Sequence, residues 1–184
     1  VRDDSPLKTY EDMIEQRQDL RVALTSRTST SGFVMPYRRF VKEGLLKAGE
    51  DISTLFTSVD YAGGYQQALQ QVLTGRADVC AVSHYTVEGD KTSIYLTPEE
   101  LSQLRILERT RGVPTHLVCA REGLSDNLRE RIKLALLKLS DEHGDLLSDV
   151  YGAKTFVRVE GDEHVATAAE AMKVIGEPLE SFAR

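Results

Sequence analysis

Eight consecutive residues, Thr25-Ser26-Arg27-Thr28-Ser29-Thr30-Ser31-Gly32, bring together more hydroxyl groups than any comparable stretch of the chain. They follow an apolar, strand-like run, Leu20 to Leu24, and precede a helical pattern that begins at Phe33. A strand-to-helix junction of this composition gathers free backbone N–H groups, hydroxyl donors and the positive end of a helix dipole at one point. That combination suits a phosphate-like oxyanion. Ser and Thr are also the ordinary residues of N-caps and turns, so the same octapeptide can serve simply as a helix start.

Other chemistry has little to build on. The sequence contains no G-x-S-x-G elbow, no P-loop, no H-E-x-x-H and no C-x-x-C, so no enzyme is expected. The four histidines, His84, His116, His143 and His164, are dispersed, and no pair has metal-ligand spacing; no metal or other cofactor is expected. Ser, His and Asp all occur, but a catalytic triad is a matter of geometry rather than composition. Cys80 and Cys119 sit in strand-like runs and read as buried free thiols.

The elements around the hydroxyl run alternate between strand and helix. Helices are predicted over Thr9 to Gln18, Gly32 to Ala48 (with Gly44 or Gly49 as its end), Gly64 to Gly75, after Thr97-Pro98, after Ser125, over Leu146 to Tyr151, and from about Val165 to Ile175. Strands are predicted over Leu20 to Leu24, Phe56 to Tyr61, Ala77 to Val82, Leu104 to Leu107, Thr115 to Ala120 and Thr155 to Val159. This alternation implies an α/β architecture with largely parallel sheets, whose binding loops gather at the carboxyl ends of the strands. The hydroxyl run lies at such an end. A charged pair, Gly112 and Pro114 mark a crossing between two units at 109–114, flanked by a complete lobe over 8–108 and part of another over 115–184.

At 184 residues the chain is long enough for one substantial core or two small lobes. Its net charge of -6, with scattered Lys and Arg, argues against a nucleic-acid partner or an anionic membrane surface. No apolar run approaches the roughly 18 to 20 residues needed to span a bilayer.

The order Asp4-Ser5-Pro6-Leu7, Leu20 to Leu24, Ser29-Thr30-Ser31-Gly32 with Pro36, Gly63-Gly64-Tyr65-Gln66-Gln67-Ala68-Leu69, Gly75-Arg76-Ala77-Asp78-Val79 and Gly112-Val113-Pro114 resembles the phosphate/phosphite/phosphonate solute-binding proteins of ABC transporters. The resemblance covers nearly the whole chain. It implies a type II periplasmic-binding-protein fold with two lobes, a periplasmic or extracytoplasmic location, an oxyanion ligand and an ABC permease as partner. It further implies that the Ser-Thr-Ser turn, here Ser29, Thr30 and Ser31 with Gly32 closing it, holds the oxyanion head. The family usually has His after the Gly-Gly pair; this chain has Tyr65, a phenol with a single O–H, which could also be a core-edge aromatic. Against the family pattern, about half a lobe before Asp4 is absent, so the chain reads as the carboxyl part of such a protein. An incomplete lobe after residue 114 would recruit a second copy, giving a homodimer. A ligand-sensing domain of a signalling protein with the same fold is the alternative use.

Overall fold

The computed structural model describes residues 1–89, 91–113, 116–151, 153, 155–159 and 163–176, with backbone alone for Val150 and Tyr151. The chain divides into two units, 1–114 together with 165–184, and 115–164.

In the first unit, β1 (Arg21–Leu24) lies between β2 (Ser58–Tyr61) and β3 (Val79–Cys80), all parallel, in the order β2-β1-β3. Val22 stands opposite both Val59 and Val79. A central strand is covered on both faces, and Val22, Ala23 and Leu24 are accordingly all buried. The edge strand β2 alternates instead, with Val59 and Tyr61 half-buried and Ser58 and Asp60 exposed.

Helices connect and cover these strands. Helix α1 (Tyr10–Glu15) opens with a capping box in which Thr9 and Asp12 satisfy each other's backbone N–H groups. Helix α2 (Met35–Lys42) follows a π-helical turn over Thr30–Val34. Its apolar stripe delivers Phe33, Tyr37 and Phe40 to the core, where each fully buried ring contributes about 1.5–3 kcal/mol. The rings of Phe33 and Tyr37 are 5.6 Å apart, those of Phe33 and Tyr61 5.8 Å, and those of Phe40 and Phe56 5.7 Å. The buried Tyr37 hydroxyl donates to the Glu50 carbonyl at 2.9 Å. The helix stops before Gly44, whose φ of 72° only glycine adopts freely, well short of Ala48. Helix α3 (Tyr65–Leu73) packs Ala68, Leu69 and Val72 inward, and α4 (Pro98–Ser102) opens on a Thr97–Glu100 capping box.

The amino-terminal ends of β1 and β3 are fastened by one carboxylate. Asp78 accepts from the Arg21 backbone N–H at 2.8 Å and from its guanidinium at 2.7 and 3.0 Å. The Arg21 guanidinium holds the Asp78 carboxyl below its usual 3.8. Because the folded value is the lower one, this contribution to stability is whole above the ordinary value and disappears as pH falls through the lowered one. Denaturant titrations across pH 7 to 3 are expected to show the native chain losing stability more steeply at the acid end than Asp78→Asn. Parallel curves for the two proteins would refute the assignment.

Three expected strands do not form among the described residues. Over 104–107 only Leu104 pairs, in an isolated antiparallel bridge with Arg2. The Arg105 guanidinium there donates to the carbonyls of Asp3, Ser5 and Leu7, tying this segment to the first residues of the chain instead of the sheet. In the second unit, 116–120 and 155–159 have irregular backbone with no ladder among the described residues. Pro114 and Thr115, on which the expected crossing ends and the expected strand begins, lie outside the described residues.

The second unit holds α5 (Asp126–Glu142), capped by Ser125, and α6 (Gly144–Tyr151). The apolar face of α5 is only partly covered. Leu128 and Ile132 are exposed while Leu136 and Leu139 are half-buried, because no strand of this unit, among the described residues, lies against them. Ser140 accepts from the Phe156 backbone N–H, and Glu130 pairs with Arg158 at 3.1 Å. Helix α7 (Glu163–Ile175) places Ala171 and Ile175 in the core of the first unit, with Met172 packed beside them. Met172, in the part of the chain after residue 114 that was expected to be an incomplete lobe, therefore has partners. No described helix is long and apolar enough to cross a membrane.

Candidate functional site

The carboxyl ends of all three strands meet at one edge of the sheet. Ala62 and Gly63, after β2, donate to the Leu24 and Thr25 carbonyls at 2.8 and 2.7 Å, and Ala81, after β3, donates to the Ala23 carbonyl at 3.2 Å. Gly63 has a φ of 88°, which lets the chain leave β2 sharply and enter α3 at Tyr65. The hydroxyl run, the Gly-Gly-Tyr turn and the segment Ser83-His84-Tyr85 are thereby brought side by side.

Ser29 organises the hydroxyl-rich turn. Its side chain accepts from the Gly32 N–H at 3.1 Å, while its carbonyl accepts from both Phe33 and Val34 at 3.0 Å. Two amides on one carbonyl make the π-helical turn, and the Gly32 amide is taken by the Ser29 side chain. Among the described residues the N–H groups and hydroxyls of Thr30 and Ser31 have no protein partner. All three hydroxyl residues are half-buried. Four free donors on the first turn leading into α2, at the positive end of its dipole, are what an oxyanion requires.

Gly32 is buried under this turn for a steric reason. A Cβ there would stand 2.0 Å from Thr25 Oγ1 and 2.7 Å from Thr25 Cγ2. Thr25 is 3% exposed, and its hydroxyl has no partner among the described residues.

Tyr65 adjoins the turn. Its hydroxyl lies 3.4 Å from Ser29 Oγ, longer than the usual O–H···O bond of about 2.5–3.0 Å, so both groups retain hydrogen-bonding capacity. Tyr65 also stands edge-on to Tyr85 at 6.0 Å, and Tyr85 packs against Tyr95 at 5.9 Å. Burial, with the neighbouring Tyr65 and Tyr95 phenols adding to it, pushes Tyr85 up to about 12, so it keeps its proton at neutral pH. Sequence reasoning passed over Tyr85 and Tyr95. Ser83-His84-Tyr85 follows a parallel strand as the hydroxyl run does, and the strand order β2-β1-β3 sets the two segments side by side. Arg27 lies over the Tyr61 ring at 5.1 Å and 3.5 Å from Asp51, which places a cation in the same turn.

The cysteines and His84 differ in exposure. Cys119 is exposed rather than buried, because 116–120 forms no strand; Cys80 is half-buried, and burial pushes its thiol up to about 11. His84 is exposed, edge-on to Tyr85 at 5.9 Å. No group of three or more potential metal ligands occurs among the described residues.

A family described as "ABC transporter, phosphonate, periplasmic substrate-binding protein" matches residues 1–165. The phosphonates-binding periplasmic protein of Escherichia coli is 28% identical over 133 residues, covering 72% of this chain and 36% of that protein. XAC2383 from Xanthomonas citri, solved with chloride and with ATP, superposes with TM-scores of 0.67 and 0.66 at 19% identity, over 95% of this chain and 63% of that one. A binding-protein component of an ABC phosphonate transporter from Pseudomonas aeruginosa gives a TM-score of 0.58 at 16% identity, over 99% of this chain and 67% of that one. The fold is thus the α/β periplasmic-binding-protein fold, and the chain spans about a third of the curated relative's length.

Proposed function

The chain belongs to the phosphonate family of periplasmic substrate-binding proteins of ABC transporters, and we propose that it captures a phosphonate-, phosphite- or phosphate-like oxyanion at the turn formed by Ser29, Thr30, Ser31 and Gly32, with Tyr65 beside it. The observation that carries this reading is the set of partnerless N–H and O–H groups on Thr30 and Ser31. Charge-assisted bonds from backbone amides hold an oxyanion without any compensating cation. The family is one of substrate binding in transport, and the reading assigns this chain no catalytic step. We further propose a periplasmic location, delivery to an ABC permease, and a crossing between lobes over 109–114.

Calorimetric titration of the full chain with methylphosphonate, phosphite, phosphate and sulfate tests the reading. Saturable binding of at least one phosphorus oxyanion, tighter than that of sulfate, is expected. Absence of saturable heat with all of them at millimolar concentration would overturn it.

A homodimer built through the region after residue 114 is part of the same proposal. Leu128, Ile132, Leu134 and Leu146 are 41%, 41%, 53% and 50% exposed, an apolar surface of the kind that association covers. Light scattering is expected to give twice the chain mass of 20.5 kDa. A monodisperse monomer at high concentration is the contrary result.

A further inference from the structure

We propose that the first unit carries a second anion site, separate from the Ser29–Gly32 turn, which takes a small polyanion of the polyphosphate type. Met35, Arg38, Arg39 and Lys42 recur at three- and four-residue intervals along α2 and so form one stripe of the helix. Together with Arg109 and Arg111 they line a cavity of about 330 Å³. The segment carrying Arg109 and Arg111 is held to the helix by Glu108, whose carboxylate lies 3.2 Å from the Arg39 guanidinium.

The charges are sorted in a way that an ordinary solvated surface does not require. Five cationic side chains line the cavity, and no carboxylate does. The neighbouring acids are paired with the cations and are not among the residues that line the cavity. Glu170 pairs with Arg38 at 2.6 Å, Glu43 with Arg39 at 2.8 Å, and Glu88 with Arg109. These pairs restrain the guanidiniums, and the carboxylates that make them do not line the cavity. Three groups stay uncommitted among the described residues: Lys42 and Arg111 form no ion pair, and the buried Nε of Arg38 has no acceptor.

Cations gathered around a concavity with low-dielectric walls focus their field into it. Guanidinium forks match the paired oxygens of phosphate groups. An anion carrying several charges meets several of these cations at once, whereas a monoanion satisfies one. The chain as a whole is acidic, at -6, so attraction rests on this local cluster and weakens with salt.

Titration of the full chain with inorganic tripolyphosphate, with methylphosphonate held at high concentration, tests the site. Binding at one equivalent is expected, unaffected by methylphosphonate and unchanged in Thr30→Ala/Ser31→Ala. Lys42→Gln and Arg111→Gln are each expected to weaken it about tenfold, as loss of a bond to a charged group does. Both side chains are exposed, so the folded state is expected to survive, and an unchanged circular dichroism spectrum checks it. Absence of tripolyphosphate binding, equal binding by the Lys42→Gln/Arg111→Gln double variant, displacement by methylphosphonate, or preference for a poly-glutamate peptide would each overturn the proposal. Failure of methylphosphonate itself to bind bears only on the first site.

Discussion

Replacing Gly32 by Ala is expected to cost about 2–3 kcal/mol of stability, lower the thermal midpoint by roughly 5 to 10 °C, and abolish oxyanion binding. The cause is the missing space beneath the turn, since the new methyl would stand 2.0 Å from Thr25 Oγ1. Thr25 cannot swing away, being β-branched, buried and fixed at the end of β1. The turn has to rise, and the Ser29–Gly32 hydrogen bond that shapes it is lost with that movement. Adding Thr25→Ala is expected to recover part of the loss. Recovery stays partial because the Cβ of residue 25 would still lie 2.8 Å from the new methyl. Thermal melts and calorimetry on the two variants read this out, and a wild-type midpoint for Gly32→Ala would refute the packing argument.

The second large effect is on affinity alone. Thr30→Ala/Ser31→Ala removes two hydroxyls that have no protein partner among the described residues, so its melting temperature is expected to stay within about 2 °C of wild type. Each hydroxyl bound to a charged ligand is worth about 1.5–3 kcal/mol, so the pair is expected to weaken methylphosphonate binding by about a hundredfold or more. Ser29→Ala separates the two kinds of role. Its side chain caps the Gly32 amide, and its loss is expected to lower stability by about 1 kcal/mol as well as affinity. Unchanged affinity in the Thr30→Ala/Ser31→Ala variant would remove the turn from the binding site.

The first unit was legible where two signals coincide. The run Val22 to Leu24 is apolar throughout because β1 is covered on both faces there, and the stripe of Phe33, Tyr37 and Phe40 has helical spacing that leads directly into the core. Strand signals failed where pairing depends on distant chain. Leu104 to Leu107 has the composition of a strand, yet Arg105 and the first residues of the chain claim its hydrogen bonds. An apolar run records that a segment wants cover, not that a ladder exists to supply it. The same limit explains the irregular backbone over 116–120. Within the site, the hydroxyl run was found by its residue types and its place after a strand. Tyr85 escaped because a lone aromatic in a polar, turn-rich stretch carries no period, and only the parallel order β2-β1-β3 brings the segment after β3 beside the one after β1.

That strand order has an entropic consequence. The residues leaving β2 and β3 are already moored to carbonyls of β1 and its extension, Ala62 to Leu24, Gly63 to Thr25 and Ala81 to Ala23. The loops around the proposed oxyanion site are therefore ordered before any ligand arrives, and little conformational freedom is left for binding to remove. The strength of four donors is then available for holding the anion instead of assembling the place that receives it.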